Sequence, residues 1–371
     1  MFQLLELPYL GAIRKLFFSL DIRHESQTQT RDVSRRSSYE SSSSLPSDIS
    51  SVSEEASQQE LIKLVLVDLF DKFGYPYDTV AYDWDLHNLC YEECKRMGYP
   101  CDKSPPKGVK TVYKYLPAGV CLATTSYGHL KDRDLQKYIA LFTTLLFYVD
   151  DEYVGDTTGV EMFGRCLMLG LPQQHKVLDS LADFLKGTYS HYQGPVADII
   201  MTSALNNVAS MVVENKMDGV ELHPQARRFS TFLKVLSGNA EAYSMFVFPP
   251  EIPIEEYIQI LPELVTFINA ICDVLSFHKE ELAGETINFI STQAKVRQKS
   301  KLQVLKELAD DVFECHQRIL RVLSEKDPRV KVWYEEFARG CFFFHTSLDM
   351  RYRLSDLFPL KPNAGLYAKE K

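Results

Sequence analysis

The chain is short of the features that would assign it quickly. It has no long basic run and a formal net charge of −9. Nucleic acid is therefore an unsuitable partner, because phosphate contacts need clustered Lys and Arg. Its 8 cysteines are scattered singly, with no Cys-x-x-Cys pair. His87, Cys90, Cys94 and Cys101 come closest to zinc spacing, and packed, reduced thiols of a cytoplasmic protein are the better reading. The first twenty residues are apolar but interrupted by Glu6, Arg14 and Lys15. They lack a charged-then-apolar-then-small order, and they are too broken to span a membrane. A helix docked on the main body is expected there, with no stable membrane insertion. No series of alternating strands and no internal repeat is visible.

What remains is helical. The run from Glu60 to Phe73 is amphipathic and stops at Gly74-Tyr75-Pro76, and Asp83 to Met97 stops at Gly98-Tyr99-Pro100, both with the punctuation expected of helix ends. Further helices are expected over Lys131–Asp150, Gln173–Tyr189, Ile199–Asn215, Gln293–Leu323 and Pro328–Leu354. Pro253 suits a first helical turn, and Pro262 is expected to kink the long helix that carries Asp273. Between Ser34 and Gln59 the composition turns to serine. Such a stretch buries too little apolar surface to fold, so a disordered insert is expected. The organisation is then an N-terminal helix over 1–25, an insert over 26–59, one all-α domain over 60–358 and a tail over 359–371. The composition is ordinary for a globular protein, 45% hydrophobic and 25% charged, and the 22 Phe and 20 Tyr suit either a core or an aromatic-lined cavity.

Three elements carry chemistry. Asp273, Ser276 and Glu280 fall at i, i+3 and i+7 of one apolar helix, so their oxygens stack on one side over two turns. Hard cations such as Mg²⁺ take ligands of this kind. Asp150-Asp151-Glu152 ends another apolar run, and three adjacent carboxylates need a cation cluster or open water to offset them. Arg351 and Tyr352 follow a third apolar run, and Lys279 lies inside the Asp273 motif; together they suit an anion. Taken singly, each has a plain alternative: a solvated helix face, an acidic helix end, a basic helix end. Together, metal ligands, an anion clamp and an aromatic helical cavity point to ionisation of a diphosphate.

On these residues the chain resembles the fungal trichodiene synthase-type class I terpene cyclases. The matching motifs are Val149-Asp150-Asp151, Asp273-Val274-Leu275-Ser276-Phe277-His278-Lys279-Glu280, Ser324-Glu325-Lys326-Asp327-Pro328-Arg329-Val330 and Asp349-Met350-Arg351-Tyr352-Arg353. Tyr9 to Leu16 resembles the family's opening helix more weakly. The resemblance implies a single-domain class I terpenoid synthase bundle around a central active-site cavity. It also implies three Mg²⁺ ions held by Asp150, Asp151, Asp273, Ser276 and Glu280, and farnesyl diphosphate as the prenyl diphosphate substrate. Lys279, Arg351 and Tyr352 would bind the diphosphate, Asp150, Arg351 and Tyr352 being essential to turnover. It leaves open a homodimer. Phe147 and Phe344 would face the cavity or lie in the core.

Three departures stand against the family pattern. Cys272 replaces an Asn ligand, and Val154 replaces an acid. No Arg occurs between Arg165 and Arg227, where a diphosphate-sensing Arg is expected near Met201 or Thr202. These departures favour an alternative, a non-catalytic helical homologue that binds a diphosphate or a protein. A prenyl chain-elongating enzyme is the other rival, but it would need a second aspartate-rich motif at Cys272-Asp273.

Overall fold

The computed structural model describes residues 48–153, 156–217, 219–286 and 288–360. The expected opening helix, most of the serine-rich insert, Val154 and nearly all of the tail lie outside these. Among the described residues there are helices and turns but no strand, as the patterning requires. The first helices are α1 (Asp48–Phe73), α2 (Trp84–Arg96), α3 (Leu116–Thr125), α4 (Arg133–Glu152), α5 (Phe163–Leu169), α6 (Lys176–Lys186), α7 (Thr188–His191) and α8 (Gly194–Lys216). They are followed by α9 (Phe229–Ser237), α10 (Ala240–Met245), α11 (Leu261–Leu282), α12 (Phe289–Arg297), α13 (Lys301–Leu323), α14 (Pro328–Ser347) and α15 (Asp349–Tyr352). The backbone of Asp48 to Gln59, expected as part of the insert, belongs to α1.

Helix boundaries follow local chemistry. The α4 N-terminus is capped by Asp132, whose carboxylate accepts from the backbone of Asp134 and Leu135. Such a cap is worth about 0.5–2 kcal/mol. The single helix expected over Gln293–Leu323 is in fact two. Gln298 takes a left-handed conformation (φ 53°) that ends α12, and Ser300 with Gln303 forms a capping box that opens α13. Pro262 does not kink a helix; it sits in the first turn of α11, where its missing N–H has no intrahelical partner to lose.

The helices close a ring. Around it, α4 packs on α3, α3 on α14, α14 on α11, α11 on α10, α10 on α8, and α8 on α4. Outside the ring, α13 lies along α11, and α1 packs on α13. The contact of α14 with α3 is close enough to need Gly340, where a Cβ would come within 2.2 Å of the Thr125 carbonyl oxygen. Helix α11 is buried almost all round: Leu264, Phe267, Ile271, Val274, Leu275 and Phe277 are each at most 1% exposed. Burying side chains of this size is worth about 1.5–3 kcal/mol apiece. The polar groups of α11 are thus carried into the interior on a helix that cannot turn away.

Candidate active site

The ring encloses a cavity holding about 1010 Å³ of space unfilled by atoms, part of it open to solvent. Its apolar wall includes Leu122, Leu146, Phe147, Ile268, Phe337 and Phe344. Its polar end gathers Lys234, Asp273, Ser276, Lys279, Glu280 and Arg351. The structure therefore brings the second motif and the C-terminal clamp into one chamber, and both Phe147 and Phe344 line it.

On α11 the three oxygen-bearing side chains are buried and already engaged. The Asp273 Oδ1 lies 2.6 Å from Lys234 Nζ, the Ser276 hydroxyl donates to Glu280 Oε1 at 2.5 Å, and Lys279 Nζ is 3.6 Å from the same oxygen. Burial pushes the Asp273 carboxyl up, and the Lys234 ammonium opposes that shift. Burial likewise raises Glu280, with Lys279 opposing, while burial depresses the Lys279 ammonium against the pull of Glu280. Among the described residues no three His, Cys, Asp or Glu side chains converge as a ready-made metal cluster.

The first motif is split by the turn of its helix. Asp150 follows cavity-lining Leu146 and Phe147 by four and three residues, so it lies on their side of α4. Asp151 is held elsewhere: Tyr115 donates to its Oδ2, Lys110 donates to its carbonyl, and Lys110 and Lys114 stand 3.5 and 3.8 Å from its carboxylate. Neither Asp150 nor Asp151 is among the residues that line the cavity with Asp273, Ser276 and Glu280.

The clamp is built by a break. Helix α14 ends at Leu348, and Arg353 is left-handed at φ 56°. Ser355 ties the turn back by donating its N–H (2.7 Å) and hydroxyl (2.5 Å) to the Asp349 carboxylate. This short turn presents Arg351, 7% exposed, with its guanidinium 5.6 Å from the centroids of both the Phe147 and Tyr352 rings. The cation is thereby fixed against the α4 wall. His278 Nε2 lies 3.3 Å from the Asp356 carboxylate, which also meets Arg353 at 2.9 Å, anchoring the turn to α11.

Lys234 is the residue that sequence reasoning missed. The diphosphate-sensing Arg is expected on the helix that is α8, whereas the buried cation lining this cavity beside Asp273 is Lys234 of α9. The helix is inverted: Phe232 is 58% exposed while Lys234 is 7% exposed. A lysine turned inward beside an outward phenylalanine is costly unless it is paired. The signal in the sequence was a single charge inside Phe229-Ser230-Thr231-Phe232-Leu233-Lys234-Val235-Leu236. Cys272 also lines the cavity, its thiol pushed up to about 11 by burial and so kept protonated at neutral pH.

Comparison with known proteins agrees with this arrangement. The trichodiene synthase (TRI5) family profile matches residues 65–364. Alpha-cuprenene synthase COP6 of Coprinopsis cinerea is 35% identical over 297 residues, covering 80% of this chain and 90% of that protein. Longiborneol synthase CLM1 of Gibberella zeae is 32% identical over 274 residues, covering 71% and 77%. Among solved structures, the linalool/nerolidol synthase of Streptomyces clavuligerus in complex with 2-fluorogeranyl diphosphate superposes with a TM-score of 0.53 at 13% identity, covering 72% of this chain and 94% of that one; this shows a shared fold. The all-α fold is that of the class I terpene synthases, a lyase class acting on prenyl diphosphates. The chain belongs to the trichodiene synthase family.

Proposed function

We propose that the chain is a Mg²⁺-dependent sesquiterpene synthase that ionises farnesyl diphosphate, cyclises the resulting carbocation and releases diphosphate. The observation that carries this is the division of one cavity into an apolar aromatic wall and a polar end holding Lys234, Lys279 and Arg351 beside Asp273, Ser276 and Glu280. Family membership implies a divalent metal, and the donor set suits one, since Asp150, Asp273, Ser276 and Glu280 all offer hard oxygens. These four would hold the ions; Asp151, bound to Tyr115 and two lysines, is left out. When bound, Mg²⁺ supplies positive charge that stabilises the departing diphosphate.

The chain's own groups do the rest. Lys234, Lys279, Arg351 and Tyr352 donate to phosphate oxygens, which places charge where the leaving group develops it. The rings of Phe147 and Phe344 present π faces to a passing cation. The apolar wall keeps water from the allylic cation, which water would otherwise quench. The test is to incubate the purified chain with Mg²⁺ and either farnesyl or geranyl diphosphate, following diphosphate release and volatile products. Cyclic C15 products from farnesyl diphosphate are expected. Faster turnover of geranyl diphosphate would correct the substrate, and diphosphate binding with no release from either would favour the non-catalytic alternative.

Two further outcomes follow from the site. Arg351→Ala should weaken binding of inorganic diphosphate by roughly one to two decades, since a charged hydrogen-bond partner is worth about 1.5–3 kcal/mol; an unchanged Kd by calorimetry removes Arg351 from the clamp. Cys272 is a protonated, soft donor and a poor ligand for Mg²⁺. Asn269, a turn earlier, does not stand in for it simply, because its Oδ1 packs on Gly238, where a Cβ would come within 2.4 Å. Cys272→Asn should therefore lower the Mg²⁺ concentration needed for half-maximal turnover. Superimposable Mg²⁺ curves for the two proteins would reject that weakness.

A further inference from the structure

His345 lines the cavity and is only 1% exposed. Its Nδ1 is 2.7 Å from the Cys341 carbonyl oxygen one turn back on α14. A carbonyl can only accept, so Nδ1 carries the proton and donates, and Nε2 keeps its lone pair. That nitrogen is buried and has no hydrogen-bond partner. An unsatisfied buried acceptor is destabilising, and a phenylalanine would fill the same room without that cost. The imidazole is held in place by Phe344 at 5.0 Å and Tyr352 at 4.3 Å between ring centroids. Burial lowers its pKa to about 3, with Arg351, Lys279 and Lys234 adding to the shift. The ring therefore enters the reaction neutral, with an acceptor nitrogen that no protein group occupies.

We infer that His345 is the base that ends the reaction, taking a proton from the cyclised carbocation through Nε2. This rests on the proposed ionisation of a prenyl diphosphate. The step is balanced: the C–H bond next to the cationic carbon breaks, its electron pair becomes the new C=C bond, and the proton forms an N–H bond at Nε2. The imidazolium then stands among Arg351, Lys279 and Lys234 and passes its proton to the diphosphate before release, which restores the neutral ring. A base this weak is sufficient, because a carbocation is a far stronger acid than an imidazolium. The same weakness prevents the ring from being charged beforehand and repelled by the ionised substrate's positive end.

The test compares wild-type protein with His345→Phe and His345→Asn, supplied with farnesyl diphosphate and Mg²⁺, scoring diphosphate release separately from products. The expected result is release within about tenfold of wild type in at least one variant, since general bases contribute to proton transfer and not to ionisation. In that variant the share of the main hydrocarbon should fall at least severalfold, replaced by olefins from other proton losses or by alcohols. In the wild type, ¹⁵N shifts should place the His345 proton on Nδ1. Unchanged product ratios in both variants, loss of release without any change in ratios, wild-type products that are alcohols alone, or a proton on Nε2 would each overturn the assignment. Absence of diphosphate release from the wild type would instead defeat the functional reading beneath it, and is recognised without either variant.

Discussion

Asp150→Ala should abolish measurable turnover, with a loss of at least about a hundredfold at saturating Mg²⁺, a magnitude typical of removing one preorganised charge-stabilising group. The reasoning begins with helix geometry. Leu146 and Phe147 line the cavity, and Asp150 follows them by one turn on the same side of α4. Asp151 is bound instead to Tyr115, Lys110 and Lys114. One carboxylate of the pair thus fixes the end of α4, and Asp150 is the one proposed to hold metal. Asp151→Asn should accordingly cost far less turnover than Asp150→Asn, although it weakens the tie between α4 and the segment before α3. Diphosphate release measured across a Mg²⁺ series decides the matter. Near-normal release by Asp150→Ala, or an equal loss in the two asparagine variants, would remove the asymmetry and the metal assignment with it.

Much of the bundle was legible because its helices carry their own punctuation. Gly74 and Gly98 mark where α1 and α2 end. Where the reading failed, the deciding interactions were long-range or conformational. Nothing in the residue types of Gln298 demands a left-handed backbone, yet that residue divides α12 from α13. Pro262 reads equally as a kink or a first turn, and only the preceding 3₁₀ segments, ending at Ile260, decide. The shared face of Asp273, Ser276 and Glu280 was legible since their spacing on a helix fixes it, whereas the single helix expected over Pro328–Leu354 is broken at Leu348, and that break is what presents Arg351. Asp151 was not, because the residues that capture it, Lys110, Lys114 and Tyr115, lie some forty positions earlier. Lys234 was invisible for a related reason: its partner Asp273 lies on another helix, and its own helix runs against the usual rule that apolar residues point inward.

Lys234→Met is expected to have the largest effect on stability. It leaves the buried Asp273 carboxylate without the ammonium 2.6 Å away, and removing one partner of a buried ion pair costs about 3–5 kcal/mol. That loss would also depress activity, so the single variant cannot tell a structural lysine from one that binds substrate. The double variant Lys234→Met/Asp273→Leu can. Replacing both members of a buried pair with apolar groups of similar size is often neutral or stabilising, so the melting temperature should return most of the way to that of the wild type. Diphosphate affinity measured without Mg²⁺, where Asp273 has no ion to hold, should not return, because the cavity would have lost a cation proposed for its anion-binding end; turnover should not return either, Asp273 being a proposed metal ligand. Calorimetry with inorganic diphosphate and thermal melts on the three proteins separate the two roles. Should the double variant regain both its melting temperature and wild-type diphosphate affinity, Lys234 would serve only to neutralise Asp273, and the anion would rest on Lys279, Arg351 and Tyr352 alone.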